Sequence, residues 1–274
     1  AGFIVLGNSS PDIWNTDVYF NDNGSERILP AWASTGNQFN GNIYVTTSGI
    51  ARGSEGGGGN TTATASQAAG MTIAAGSAGL NAGFLILKQF TQSGNAPINL
   101  VLSSTAGYLQ LGPGSALGGN LTSSSPGLFF NGCIFSGTVT STKNGPTSDA
   151  GTGNNIFDGA VNLTDSGTGY LLLGNGNPDL FNAAATFNNA GGNNVYVAHN
   201  STGNVFNGPV TFNNAPTTNN AILVSAYSTG TIFNSNIIVS STSGQGVQFC
   251  TGNGTATVTL AAGNTISLGP AGFS

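Results

Sequence analysis

The chain has 274 residues, of which 5% are charged and 38% hydrophobic, with 44 glycines and a formal net charge of −5 at pH 7. This balance excludes a charged disordered chain, and four basic residues without a cluster exclude an electrostatic surface for nucleic acid or anionic membrane. No apolar run reaches the length of a helical membrane span, so no membrane insertion is expected, and no signal peptide is visible, as for a mature or internal fragment.

The chain opens on Ala1-Gly-Phe-Ile-Val-Leu6, which already reads as strand. Residues 2–45 align without a gap with residues 169–212, an offset of 167. Within them Ser34-Thr-Gly-Asn-Gln-Phe-Asn-Gly41 stands against Ser201-Thr-Gly-Asn-Val-Phe-Asn-Gly208. A shorter period runs through the alignment. An aromatic residue followed by Asn or Asp recurs at Trp14-Asn15, Phe39-Asn40, Phe157-Asp158, Phe181-Asn182, Phe206-Asn207 and Phe233-Asn234. After it comes a short alternating run, such as Asn42-Ile-Tyr-Val45 or Pro209-Val-Thr-Phe212. Alternation predicts half-buried strands, and the Asn, Gly, Ser and Thr between them predict turns.

Residues 59–70 align with residues 252–263 at a second offset, 193. The offsets differ by 26 residues, about one unit, so one copy lacks one unit. The Gly-rich stretch 52–60 sits at that point. Its Gly56–Gly59 run lacks the Lys-Ser/Thr of a phosphate loop and reads as a loop. Thr61–Gly79 is Ala-rich, but its partner carries Thr257-Val-Thr-Leu260, so both predict strand.

A unit of about 25 residues cannot bury its own apolar face, whereas a stack of units can, and a stack tolerates loss of one layer. The predicted fold is all-β, a β-solenoid of the parallel β-helix kind, with roughly 11 units in a rod of order 50 Å. Residues 1–81 end one super-repeat and residues 82–274 form a second, in one continuous rod. Neither terminus carries a polar cap, so the chain is expected to be a segment of a longer repetitive polypeptide.

Chemistry-bearing residues are few. His199, the one histidine, aligns with Trp32 and is expected in packing or at the surface. Asp12 and Asp179 share a Pro-Asp frame and suit turns; Asp158 takes the place that Asn40 and Asn207 hold. Asn21-Asp-Asn-Gly-Ser-Glu26 has only a faint likeness to a calcium loop. Cys133 and Cys250 are too far apart along a stack to bridge, and are expected as small core residues. The Asn-X-Ser/Thr triplets, Asn8 and Asn60 among them, are too common in such a composition to indicate glycosylation. No catalytic, metal or cofactor site is assigned. The positions singled out are structural: Trp14, Phe39, Asn40, Phe157, Phe181, Asn182, Phe206, Asn207, Phe233 and Asn234. Stacked, these Asn amides are expected to bond in ladders along the rod.

The units Tyr196-Val-Ala-His-Asn-Ser-Thr-Gly-Asn-Val-Phe-Asn-Gly-Pro-Val-Thr-Phe-Asn-Asn214 and Ser228-Thr-Gly-Thr-Ile-Phe-Asn-Ser-Asn-Ile-Ile-Val239 resemble the Asn/Gly/Thr-rich repeats of large cell-surface proteins of gliding Bacteroidota. That family resemblance implies type IX secretion, an extracellular location, and a self-associating filament or adhesin for surface or cell–cell attachment, the grappling-hook filaments of prey capture included. Two alternatives are weighed. A carbohydrate-binding or carbohydrate-active β-helix would use aromatics such as Trp14, Trp32, Tyr44 and Tyr108 on a polysaccharide. An ice-binding solenoid needs a regular Thr-X-Thr ladder, and Thr138-Val-Thr140 and Thr257-Val-Thr259 do not recur at each unit.

Overall fold

The computed structural model describes residues 4–7, 9–22, 27–29, 34–47, 50–53, 63–65, 71–75, 83–102, 107–252 and 254–273. Among these residues there is no helix, and every paired strand runs parallel to its neighbour. Parallel neighbours about 25 residues apart, each followed by two strands of other sheets, make a solenoid. The predicted β-solenoid is the fold.

One rung shows the plan. Val195–Val197 lies on one face, Val205–Phe206 on a second and Val210–Asn214 on a third. The second, short-strand face and the third, long-strand face each hold eleven strands. The remaining face is two sheets, of six and four strands. It breaks between Leu128–Phe130 and Leu171–Leu172, where the intervening rung adds only an isolated bridge, Asn131 to Gly153. At roughly 4.8 Å per rung the stack is of order 50 Å long.

The core is built of columns. On the short-strand face one inward column pairs Leu117 with Phe135, Phe135 with Phe157, Phe157 with Phe181, Phe181 with Phe206, and Phe206 with Phe233. From Phe135 to Phe233 the rings lie face to face, with centroids 4.6 to 4.9 Å apart and planes within 9°. Trp14 and Phe39 stack likewise at 4.3 Å. Offset stacking adds about 0.5–1.5 kcal/mol per pair to the burial of the rings. The repeated aromatic is thus the element that each rung presents to the next.

Phe135 belongs to this column although the sequence motif missed it. Ser136 replaces the usual Asn, and only 18 residues separate Phe135 from Leu117. The register also refines the repeat alignment. Ala65 and Leu260 occupy the same column, against Phe39 and Phe233, and lie 195 residues apart. Sequence matching at 193 is therefore two residues out of step with the rungs.

Turn glycines let the corners nest. A Cβ on Gly167 would come 2.2 Å from the Gly145 carbonyl oxygen, and one on Gly191 would come 2.4 Å from that of Gly167. Only a residue without Cβ allows rungs to approach so closely there.

Candidate functional site

Three sets of polar residues follow from this register. The first is the predicted ladder. The residue after the column aromatic points outward, and where it is Asn in a later rung its amide donates to the rung before. Asn40 Nδ2 donates to Asn15 Oδ1 at 3.0 Å, Asn182 to Asp158 at 2.8 Å, Asn207 to Asn182 at 2.9 Å and Asn234 to Asn207 at 2.8 Å. Trp14, Phe39, Phe157, Phe181, Phe206 and Phe233 lie beneath them, so each assigned repeat position joins one rung to the next.

The second set lies inside and was not anticipated. Two residues before four of the aromatics, a buried Asn or Asp accepts the backbone N–H of the preceding rung. Asn37 Oδ1 accepts from Asp12, Asn155 from Cys133, Asp179 from Asn155, and Asn204 from Asp179. Asp179 thus joins rungs and does not merely close its own turn. Its signal was present in the sequence as a recurrent Asn or Asp at this spacing. Burial pushes its carboxyl up to about 6. Cys133 occupies this column as a buried thiol, whose pKa is raised by desolvation. Cys250 is half-buried, and both cysteines are free.

A second inner polar column turns the corner after the long strands, pairing Ser125, Lys143, Asp165, Asn189 and Asn214 in succession. Lys143 Nζ lies 3.4 Å from Asp165 Oδ1 with both side chains fully enclosed, and it donates to the carbonyls of Gly145 at 2.9 Å and Gly169 at 2.5 Å. Burial lowers the Lys143 pKa against the pull of Asp165, and raises Asp165 to about 6. Asp149, buried beside this pair where the first face breaks, accepts from the N–H groups of Gly151 and Leu172. These groups are sealed from solvent, and their bonds run to backbone N–H and carbonyl groups and to one another, so they hold the break together. Asp158, by contrast, is exposed in the outer ladder.

The third set is the outer long-strand face. One outward column runs from Thr122 through Thr140, Asn162 and Thr186 to Thr211, and a second from Ser124 through Thr142, Thr164 and Asn188 to Asn213. All ten side chains are exposed or half-buried. Of these five rungs, that of Thr140 and Thr142 has threonine in both columns. Of the Thr-X-Thr motifs noted in sequence, Thr138-Val-Thr140 contributes only Thr140, since Thr138 precedes the strand, and Thr259 sits on the short-strand face.

Of the aromatics considered for sugar stacking, Trp14 lies on Phe39, and Tyr108 stacks on Phe129 at 4.5 Å. Trp32, the Tyr44 side chain and residues 23–26 of the calcium-like loop lie outside the described residues, as do Gly56–Gly59. His199 is half-buried between Tyr196 and Tyr227, edge-on to both at 5.0 and 5.7 Å, with Nδ1 3.4 Å from Asn175 Oδ1. Among the described residues no group of three or more His, Cys, Asp and Glu is placed to hold a metal ion. No family model, no curated protein and no solved structure matches this chain.

Proposed function

We propose that this chain is a structural and adhesive segment of a large secreted extracellular filament, one that sets length and self-associates for surface or cell–cell attachment. One observation carries the reading. From residue 107 onward the only charged side chains are Lys143, Asp149, Asp158, Asp165 and Asp179, and of these only Asp158 faces solvent. A rod side with almost no charge offers little repulsion to a second rod. Its polar ladders are spent on holding rung to rung, and the buried acids have no access to a substrate. Likeness to the repeats of gliding Bacteroidota supports the same reading, with type IX export to the cell surface.

Electron microscopy of the purified protein tests it. Extended rods that associate side by side or end to end are expected, and replacing surface residues with lysine on two faces should disperse them. Compact, monodisperse particles at all concentrations would count against the proposal.

A second reading, binding of polysaccharide, is favoured by the surface run Tyr196, His199 and Tyr227, the last of which is 51% exposed. Retention on insoluble glycans that disappears in Tyr227→Ala would support it.

A further inference from the structure

The outer long-strand face has a property that rod assembly does not need. Its two columns keep one register over five successive rungs, with no bulge from Leu121–Ser125 to Val210–Asn214. Neighbours in one column are separated by the interstrand spacing, about 4.7–4.9 Å, and the two columns by two residues of strand, about 6.6–6.8 Å. The result is an array of small polar groups in regular rows. Both repeats lie close to those of the oxygen rows on prism faces of ice.

The groups suit such a match. Among the described residues the hydroxyls of Thr122, Thr140, Thr142, Thr186 and Thr211 have no hydrogen-bond partner. They are left to water. The amides between them are fixed, because Asn188 Nδ2 donates to Asn162 Oδ1 and Asn213 Nδ2 to Asn188 Oδ1, each at 2.8 Å. β-Branched threonines are stiff at χ1, so hydroxyl and methyl positions are held before any ligand arrives. No charged side chain stands in the array to draw water into a different order. Beneath it, buried Leu163, Phe187 and Phe212 anchor the strands from inside.

We infer that this face binds ice, its hydroxyls and fixed amides holding a layer of water in register with the crystal. A polar polymer would need a groove or stacking rings, and none of the ten array side chains is aromatic; the exposed ring of Tyr19 stands on this face four rungs from Thr122. The inference does not depend on filament assembly. Microscopy reads assembly and freezing behaviour reads this face, so either can fail alone.

The test is nanolitre osmometry and ice-recrystallisation assays on the full chain. Thr122→Tyr and Thr140→Tyr put a bulky ring on exposed positions of the array, and Ile134→Tyr is a control on the short-strand face, where Ile134 is 41% exposed. Thermal unfolding of each variant should match the parent. The parent is expected to shape ice crystals and open a gap between melting and freezing points. Both threonine variants should lose that gap to the level of buffer, and the Ile134 variant should keep it. A parent without a gap overturns the inference, as does equal loss in the control. Retention of the parent on insoluble polysaccharide, abolished by the threonine variants without any effect on ice, would also overturn it.

Discussion

Lys143 and Asp165 form an ion pair at 3.4 Å with neither side chain open to solvent, at the rung where one face of the solenoid is broken. The pair and Asp149 supply the donors and acceptors that a regular strand would have supplied there. Removing one partner leaves the other charge buried. Lys143→Met is therefore expected to cost about 3–5 kcal/mol, whereas the double change Lys143→Met with Asp165→Leu should restore much of it. Urea denaturation of the parent and the two variants measures both.

Acid should stabilise this protein over a defined range. Burial raises Asp165 and Asp179 to about 6 from an ordinary 3.8, and raises Asp149 as well. The folded chain thus binds these protons more tightly than the unfolded chain. For Asp165 and Asp179 stability is gained as the pH falls through about 6 and is fully present below the ordinary carboxyl value, on the order of 1–3 kcal/mol for each of the two. Thermal melts should shift upward between pH 7 and about pH 4, and Asp179→Asn should flatten part of that slope.

The aromatic column gives a graded series. Phe181 is enclosed between Phe157 and Phe206. Phe181→Ala should cost about 3–5 kcal/mol. Phe181→Leu should cost less, since Leu117 and Leu260 hold the same column position. The midpoint of chemical unfolding separates the two.

Two glycines should behave oppositely in kind. Gly167→Ala drives a methyl into the Gly145 carbonyl and should open the corner between two rungs. At Gly176 nothing lies within 4 Å, so Ala there meets only the strain of φ +78°, roughly 1–2 kcal/mol. Amide exchange at residues 145 and 169 should quicken in the first variant alone.

Much of the fold was legible because one packing need is written repeatedly. The Phe-Asn pair marks a ring facing in and an amide facing out, and both recur at the rung length. What escaped notice was either singular or disguised. Lys143 and Asp165 occur once, so no repeat announces them. The inner Asn155, Asp179 and Asn204 column resembles ordinary turn chemistry until the register shows each side chain reaching the previous rung. On the long-strand face Asn162 and Asn188 stand in for threonine, which breaks the motif in the sequence while preserving the array in space.

Whole-rung editing follows from the pairing of Leu180 with Val205. Deleting residues 180–204 joins Asp179 directly to Val205 and leaves each column continuous. The shortened chain should fold, with a rod about 4.8 Å shorter by small-angle scattering. Deleting residues 180–191 removes half a rung and should leave an unfolded or aggregated chain.

The stacked rings and the hydrogen bonds between rungs all point along the same axis, and this sets how the molecule responds to load. Tension applied end to end pulls straight across one rung boundary at a time, so the rod should peel in steps. Each step frees about 25 residues, roughly 80 Å of slack at full extension. In a tether this converts a sudden jerk into a long, dissipative yield, and single-molecule pulling should record it as a train of evenly spaced releases.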